Sequence, residues 1–133
     1  MSDAEVFSYE QVEDVLVVTP QGDLFQYRYE ALRNAYNETY RKLTDESTKH
    51  LLIDFQSVGH FGSSFIGMLI KLAQKVRLGK GEAALCGLTP DMKDVLNNLM
   101  LLENVKTDFF WVPFPSREEA IAFLKNPERP AAP

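Results

Sequence analysis

The 133-residue chain is poor in cysteine, in histidine and in positive charge, and each shortage excludes a class of protein. Its one cysteine, Cys86, cannot form an internal disulfide and lies in an apolar run, where we expect a buried small side chain. With 14 basic residues against 19 acidic ones, the net charge of −5 argues against a nucleic-acid-binding face. The two histidines, His50 and His60, are with Cys86 too few and too scattered to form a metal-ligand set.

Long hydrophobic runs are missing as well. No apolar stretch approaches the ~18 residues of a membrane span, and the acidic start of the chain, residues 1–5, lacks the basic-then-apolar layout of a signal peptide. Hydrophobic residues make up 45% of the chain and charged residues 25%, as in a globular domain. We therefore expect a cytoplasmic protein with one domain over residues 1–125 and a disordered Pro/Ala-rich tail over residues 126–133.

Strand and helix patterns alternate along the chain in the order ββαβαβαβα. This order predicts a single α/β domain with a mostly parallel sheet and an N-terminal antiparallel hairpin. The predicted strands are 6–11, 15–19, 51–55, 83–86 and 109–112, and the predicted helices are 27–43, 63–78, one that starts at 90, and 117–125. Ser116 and Glu119 form a predicted capping box for the last helix. The third helix is expected to bury Met92, Val95, Leu96 and Leu99.

The most informative segment runs from Leu51 to Leu69. An apolar strand ends in a short loop that delivers two serines, Ser63 and Ser64, to the start of an amphipathic helix. A hydroxyl at that place can cap the helix, or it can carry a phosphate that the free N–H groups and the positive end of the helix dipole stabilise. Ser64 is the better candidate for a cap, and Ser63 is the better candidate for a phosphate.

The same segment does not match the common enzymatic and cofactor motifs. Gly62 and Gly67 have the separation of a P-loop, but Met68 and Leu69 stand where the lysine and the magnesium ligand belong. A nucleophile elbow would need glycine at Ile66, and the spaced glycines of a dinucleotide fingerprint do not follow the first strand. We therefore expect no catalytic residue, no metal site and no cofactor.

Three further features each allow a structural and a functional interpretation. Asp54, at the end of a predicted strand, could act as a base or metal ligand, but such an acid more often fixes a loop by accepting from backbone N–H groups. His60 is either a surface or packing residue or a contact to a partner or phosphate. On the second helix Phe65, Met68 and Leu72 form a second apolar stripe, which indicates either deep burial or an exposed face for a partner.

Four stretches of the chain resemble the STAS domain, the fold of bacterial anti-sigma factor antagonists. Segment 20–24 is similar to the family's Gly-Glu-Leu-Asp, and segment 62–67 to its Asp-Ser-Ser-Gly-Leu-Gly. Segment 52–61 resembles the central strand and loop, and segment 85–90 the Val-Gly-Leu-Ser-Pro motif. The likeness extends over about residues 6–124, which is nearly the whole chain.

This resemblance implies a protein-binding switch rather than an enzyme. In the family, the first serine of the loop is phosphorylated by a partner that is both an anti-sigma factor and a serine kinase of the ATPase-kinase type. The unphosphorylated form sequesters that partner, and the matching serine here is Ser63. The residues that we expect to bind the partner are Phe25, Gly59, His60, Phe61, Gly62, Ser63, Ser64, Phe65, Met68 and Leu72.

The sequence departs from the family pattern beside the serine. Gly62 replaces the aspartate before it, Phe25 replaces the aspartate of the Gly-Glu-Leu-Asp motif, and Phe65 replaces the glycine after the second serine. The two acids contribute to recognition by the kinase in the family. A second interpretation therefore stays open, namely a constitutive scaffold or dimerisation module that has lost control by phosphorylation and holds a partner, or a second copy of itself, permanently.

Overall fold

The computed structural model describes residues 6–102 and 110–126. The five strands are β1 (Phe7–Val12), β2 (Val15–Pro20), β3 (His50–Asp54), β4 (Ala83–Cys86) and β5 (Val112–Phe114). They form one sheet in the order β1-β2-β3-β4-β5, in which only β1 and β2 pair antiparallel. The predicted α/β fold class and its N-terminal hairpin are confirmed.

The helices are α1 (Tyr29–Leu43), α2 (Ser63–Leu78), α3 (Pro90–Asn98) and α4 (Arg117–Lys125), with a short 3₁₀ turn at Leu24–Gln26. The α4 bounds agree with the prediction, and Ser116 caps that helix by accepting from the Glu119 N–H at 3.3 Å. Among the described residues, no helix combines the length and the apolar composition needed to cross a bilayer.

Side chains alternate across the strands, so the sheet has two apolar faces with separate cores. Helices α1, α2 and α3 cover the first face, where Leu51 and Ile53 of β3 lie in the larger cluster. The nine-residue helix α4 covers the second face, where Ala120 and Leu124 pack against residues that include Leu52. The sheet separates these two cores, and the candidate site lies at the end of the sheet where β2 and β3 finish.

Two local predictions need correction. Helix α3 buries Met92 and Leu96, but Val95 and Leu99 are exposed, because this short helix contacts the core along one narrow stripe. The last strand is Val112–Phe114 rather than 109–112, of which Phe109 lies outside the described residues. Pro113 lies within this strand, which tolerates proline because β5 is an edge strand paired only with β4, as the proline allowed. Of the predicted tail, Asn126 follows α4, and residues 127–133 lie outside the described part of the chain.

Candidate partner-binding site

Two loops at one edge of the sheet are joined by backbone hydrogen bonds. They are the β2–α1 loop (residues 21–28) and the β3–α2 loop (residues 55–62). Gly22 N–H donates to the Ser57 carbonyl at 2.7 Å, Gly59 N–H to the Gly22 carbonyl at 2.9 Å, and Leu24 N–H to the His60 carbonyl at 2.8 Å. Because β2 and β3 are parallel neighbours, both loops leave the sheet at the same end, and together they form one composite surface.

Helix α2 begins from this surface without a side-chain cap. Gly62 occupies the N-cap position in an extended conformation, with φ −120° and ψ −167°, and has no side chain to accept from the first turn. Ser63 and Ser64 are the first two residues inside the helix, and both are exposed. Within the described residues, neither hydroxyl forms a hydrogen bond. The prediction that Ser64 caps the helix is therefore wrong, because the residue before Ser63 already occupies the cap.

The ring of Phe25 lies over Gly62. A Cβ placed on Gly62 would come within 2.7 Å of Phe25 Cε1 and 3.3 Å of Phe25 Cζ. The 3₁₀ turn carries Phe25 to this place, and Asp23 starts that turn by accepting from the Phe25 N–H at 2.9 Å. In its present position, the ring excludes any side chain at residue 62.

Exposed aromatic side chains surround the two serines. Phe25 is 67% exposed and Tyr29 is 59% exposed, although both are large and apolar. With the serines they line a shallow cleft of about 190 Å³. The cleft residues are Leu24, Phe25, Tyr27, Tyr29, Leu32, Gly62, Ser63, Ser64 and Phe65. An apolar cleft with hydroxyl groups at its rim suits contact with another protein better than it suits a small polar ligand.

The second apolar stripe of α2 is buried. Phe65, Met68 and Leu72 are 1%, 7% and 1% exposed. The Phe65 ring packs edge-on against Phe7 and Phe55, with ring centroids 6.1 and 6.0 Å away. Since α2 packs against both α1 and the sheet, both of its apolar stripes face other parts of the core. These three residues are therefore not part of the candidate partner-binding surface, and deep burial is the correct interpretation of the second stripe.

Two other predicted contacts, Phe61 and His60, lie beside the serines. Phe61 is half-buried, and its ring is 5.6 Å from that of Phe65, which anchors the end of the β3–α2 loop. His60 is exposed, and its Nδ1 is 3.7 Å from the Asp23 carboxylate in the opposite loop. The structure thus brings together Phe25, Gly59, His60, Phe61, Gly62, Ser63 and Ser64.

Asp54 fixes the start of the β3–α2 loop. Its side chain is buried at the last position of β3, and Oδ1 accepts from the Gln56 N–H at 2.9 Å. The other oxygen, Oδ2, accepts from Arg117 Nε at 3.0 Å. Both carboxylate oxygens have partners within the fold, so the structural interpretation of Asp54 is confirmed.

Arg117 is the residue that the sequence analysis missed. Besides the Asp54 carboxylate, its guanidinium donates to Glu10 Oε1 and to Thr19 Oγ1, each at 3.0 Å. One signal could have found it, since a carboxylate at the end of an apolar strand needs a buried donor or a cation. The sequence offers several cations, and only the fold selects the one that lies at the first position of α4.

Two other side chains that could carry chemistry, Cys86 and His50, are buried. Cys86 is buried, and burial together with the nearby Asp54 carboxylate raises the pKa of its thiol to about 12, so the thiol stays protonated. His50 lies at the opposite end of β3, where its Nδ1 accepts from the Glu82 N–H at 2.9 Å and burial lowers its pKa. In the two described ranges, no group of three or more His, Cys, Asp or Glu side chains is placed to hold a metal ion.

Comparison with known proteins gives a single family. The family model for the STAS domain matches residues 7–120. The phosphorylated form of SpoIIAA, a Bacillus cell fate determinant, is 16% identical with a TM-score of 0.66, over 87% of this chain and 96% of that chain. An anti-sigma-factor antagonist (STAS) domain protein from Planctomyces limnophilus is 21% identical, with a TM-score of 0.69 over 89% and 96%. A serine-to-glutamate variant of RsbS from Moorella thermoacetica is 17% identical, with a TM-score of 0.72 over 90% and 95%.

Proposed function

The chain belongs to the STAS domain family, and we propose that it is a protein-binding regulatory module of the anti-sigma factor antagonist kind, switched by phosphorylation of Ser63. The observation that carries the proposal is the Ser63 hydroxyl. It is exposed at the first position of α2 and has no hydrogen-bond partner among the described residues. A serine that served as a helix cap would be occupied, whereas this one is accessible to a kinase.

The proposed docking surface is the exposed part of the composite loop surface, with the phosphate acceptor at its centre. It consists of Phe25, Tyr29, Gly59, His60, Phe61, Gly62, Ser63 and Ser64. A phosphate would add about −1.5 to −2 charges there. Docking would then have to desolvate that charge against aromatic side chains, which lowers affinity unless the partner supplies a cation. SpoIIAA, which shares this fold, has a phosphorylated form.

The partner that we propose is an anti-sigma factor that is also a serine kinase, because the Gly-Ser-Ser segment at 62–64 resembles the loop that is phosphorylated in the family. No reaction is proposed for the surface itself. Asp54, the carboxylate nearest to the loop in sequence, has both oxygens bonded within the fold. The chain would therefore act by binding and releasing a protein.

The second candidate function is a constitutive binding module, and one observation favours it. The Phe25 ring occupies the space that a side chain at residue 62 would need. The two acids of the family pattern are therefore replaced by a pair that is sterically matched, and the surface offers an aromatic ring where the family offers carboxylates. In this alternative, the partner binds Phe25 and Tyr29 regardless of Ser63.

Binding measurements separate the two functions. A partner captured with the wild-type chain is titrated calorimetrically with Ser63→Ala, Ser63→Asp and Ser63→Glu. We expect wild-type affinity for Ser63→Ala and at least tenfold weaker binding for the acidic variants, about 1.4 kcal/mol. Gln74→Glu is the matched control, because it adds the same charge to an exposed position of α2 about 16 Å further along the helix.

Phosphorylation is tested directly by incubating the protein with ATP and an extract of its source cells, followed by intact-mass and fragment measurements. A phosphate on Ser63 supports the switch. An unmodified chain, together with equal affinities for wild type and all Ser63 variants, supports the constitutive module and contradicts the switch.

A further inference from the structure

Arg117 joins three strands of the sheet on the face that α4 covers, near the end of the sheet where the candidate site lies. It is the first residue of α4, which packs on the face opposite to α2. Its guanidinium donates to Glu10 on β1, to Thr19 on β2 and to Asp54 on β3, each at 3.0 Å. A planar guanidinium with three separate acceptors holds them in fixed relative positions, which a lysine ammonium cannot reproduce.

Asp54 connects Arg117 to the β3–α2 loop. While Oδ2 is bound to Arg117, Oδ1 accepts from the Gln56 N–H at 2.9 Å and holds the first turn of the loop. Gly87 packs directly against the same turn, since a Cβ there would lie 2.8 Å from Gln56 N and 3.0 Å from Asp54 Oδ1. The turn therefore has little room to shift while the carboxylate keeps its place.

Backbone hydrogen bonds also hold the part of the loop between this turn and the serines. Val58 N–H donates to the Phe55 carbonyl at 3.0 Å, and the next residue, Gly59, donates to Gly22 of the opposite loop at 2.9 Å. Gly62 follows as the N-cap of α2. Hydrogen bonds and the short backbone stretches between them thus connect the Arg117 guanidinium to the loop that presents Ser63.

Removal of the guanidinium would leave the Asp54 carboxylate, 2% exposed, without its cation. The carboxylate would then be relieved by entry of water or by uptake of a proton. The backbone of β3 is paired on both sides, to β2 and β4. In the loop that follows, Phe55 N–H still donates to the Cys86 carbonyl, but from there to His60 the described backbone bonds to other elements go only to the β2–α1 loop. The movement that admits water is therefore expected in the loop.

We propose that Arg117 is a positioning residue for the candidate partner-binding site, acting through Asp54 on the order of the β3–α2 loop. Its meaning for regulation rests on the function proposed above for Ser63. A change at the start of α4 would then alter the order of the docking surface, although α4 lies on the face of the sheet opposite to α2.

The test is amide hydrogen exchange, followed by NMR, in four proteins: wild type, Arg117→Gln, Arg117→Lys and Ser116→Ala. The readout is the exchange rate of the Gln56 and Gly59 amides divided by that of Leu52 in β3. We expect Arg117→Gln to raise this ratio at least tenfold. Arg117→Lys keeps the positive charge beside Asp54 but loses the planar three-acceptor geometry, and it is expected to restore only part of the protection.

Ser116→Ala is the control, because it weakens the start of α4 without removing a bond to Asp54. It is expected to leave the ratio at the wild-type value even where the whole protein becomes less stable. A ratio in Arg117→Gln equal to that in Ser116→Ala would overturn the proposal and leave Arg117 with a general structural role. Suppose that Arg117→Gln raises the ratio while Ser63→Glu binds the partner as tightly as the wild type does. That result would support the positioning role of Arg117 and would reject only the phosphorylation switch.

Discussion

Helices α2 and α4 both have serine near their first residue, but the two helices use the hydroxyl in opposite ways. At α4 the serine is the N-cap, and Ser116 Oγ accepts from the Glu119 N–H. At α2 a glycine is the N-cap, so that Ser63 and Ser64 lie inside the helix with their hydroxyl groups exposed. A shift of one residue between serine and cap thus separates a structural hydroxyl from an accessible one.

The two helices can differ in this way because they are stabilised differently. Helix α4 has nine residues and one buried stripe, so its cap and the Arg117 bonds matter. Helix α2 has sixteen residues and is packed on both of its apolar stripes, and tertiary packing rather than capping supplies most helix stability. The site can therefore keep an uncapped helix start without loss of the fold.

The largest expected effect tests this packing. Phe65→Ala should lower the free energy of unfolding by about 3–5 kcal/mol, because it deletes a buried ring in contact with Phe7 and Phe55. Phe25→Ala should change it by less than about 0.5 kcal/mol, since the Phe25 ring is exposed. Urea unfolding measures both. Similar losses in the two variants would contradict the assignment of Phe65 to the core and Phe25 to the surface.

The next effect concerns the serines themselves. Ser116→Ala should cost about 1 kcal/mol of unfolding free energy, the usual value of an N-cap. Ser63→Ala and Ser64→Ala should leave it unchanged within about 0.5 kcal/mol. Thermal and urea unfolding give these values, and Thr89→Ala at the start of α3 is a second positive control, because Thr89 Oγ1 accepts from the Met92 N–H at 3.2 Å. A loss at Ser63 as large as that at Ser116 would mean that its hydroxyl has a structural role after all.

The two histidines also differ in exposure, because His50 is buried and His60 is exposed. Burial lowers the pKa of His50, and its Nδ1 must stay unprotonated to accept from Glu82. Because the unfolded chain then binds the proton more tightly, the stabilisation is complete above about pH 6.5 and is lost as the pH falls below that value. Urea unfolding at pH 7.5 and pH 5.5 should show a smaller pH-dependent loss for His50→Gln than for wild type. Equal losses in wild type and His50→Gln would contradict the assignment to His50.

The smallest effect tests why α2 lacks a cap. Gly62→Ser supplies a capping hydroxyl, which is worth a few tenths of a kcal/mol over glycine. With Phe25 present the new side chain meets the ring, so the gain should appear only in the Phe25→Ala background. A double-mutant cycle by urea unfolding, with NMR contacts between residues 25 and 62, measures the coupling. Additive effects would show that the ring does not control what residue 62 can carry.

Local patterns in the sequence were sufficient for the elements of the fold. Period-two and period-3.6 spacing placed the strands and helices, and the Ser116–Glu119 spacing located the start of α4, because such signals depend on residues only a few positions apart. Apolar surroundings likewise indicated that Cys86 is buried. The same patterns could not decide whether Phe65 faces a partner or the core, since an apolar stripe is identical in both cases.

By itself, then, the sequence determined the order of the elements, the fold class and the presence of two serines near a helix start. Only the tertiary structure decided that these serines stay uncapped, that Phe25 covers Gly62 and that Arg117 binds Asp54. The physical reason is that these contacts join residues 37 and 63 positions apart in the chain. They form because parallel strands bring their carboxyl ends to one edge of the sheet, and no short-range spacing records which side chains will meet there.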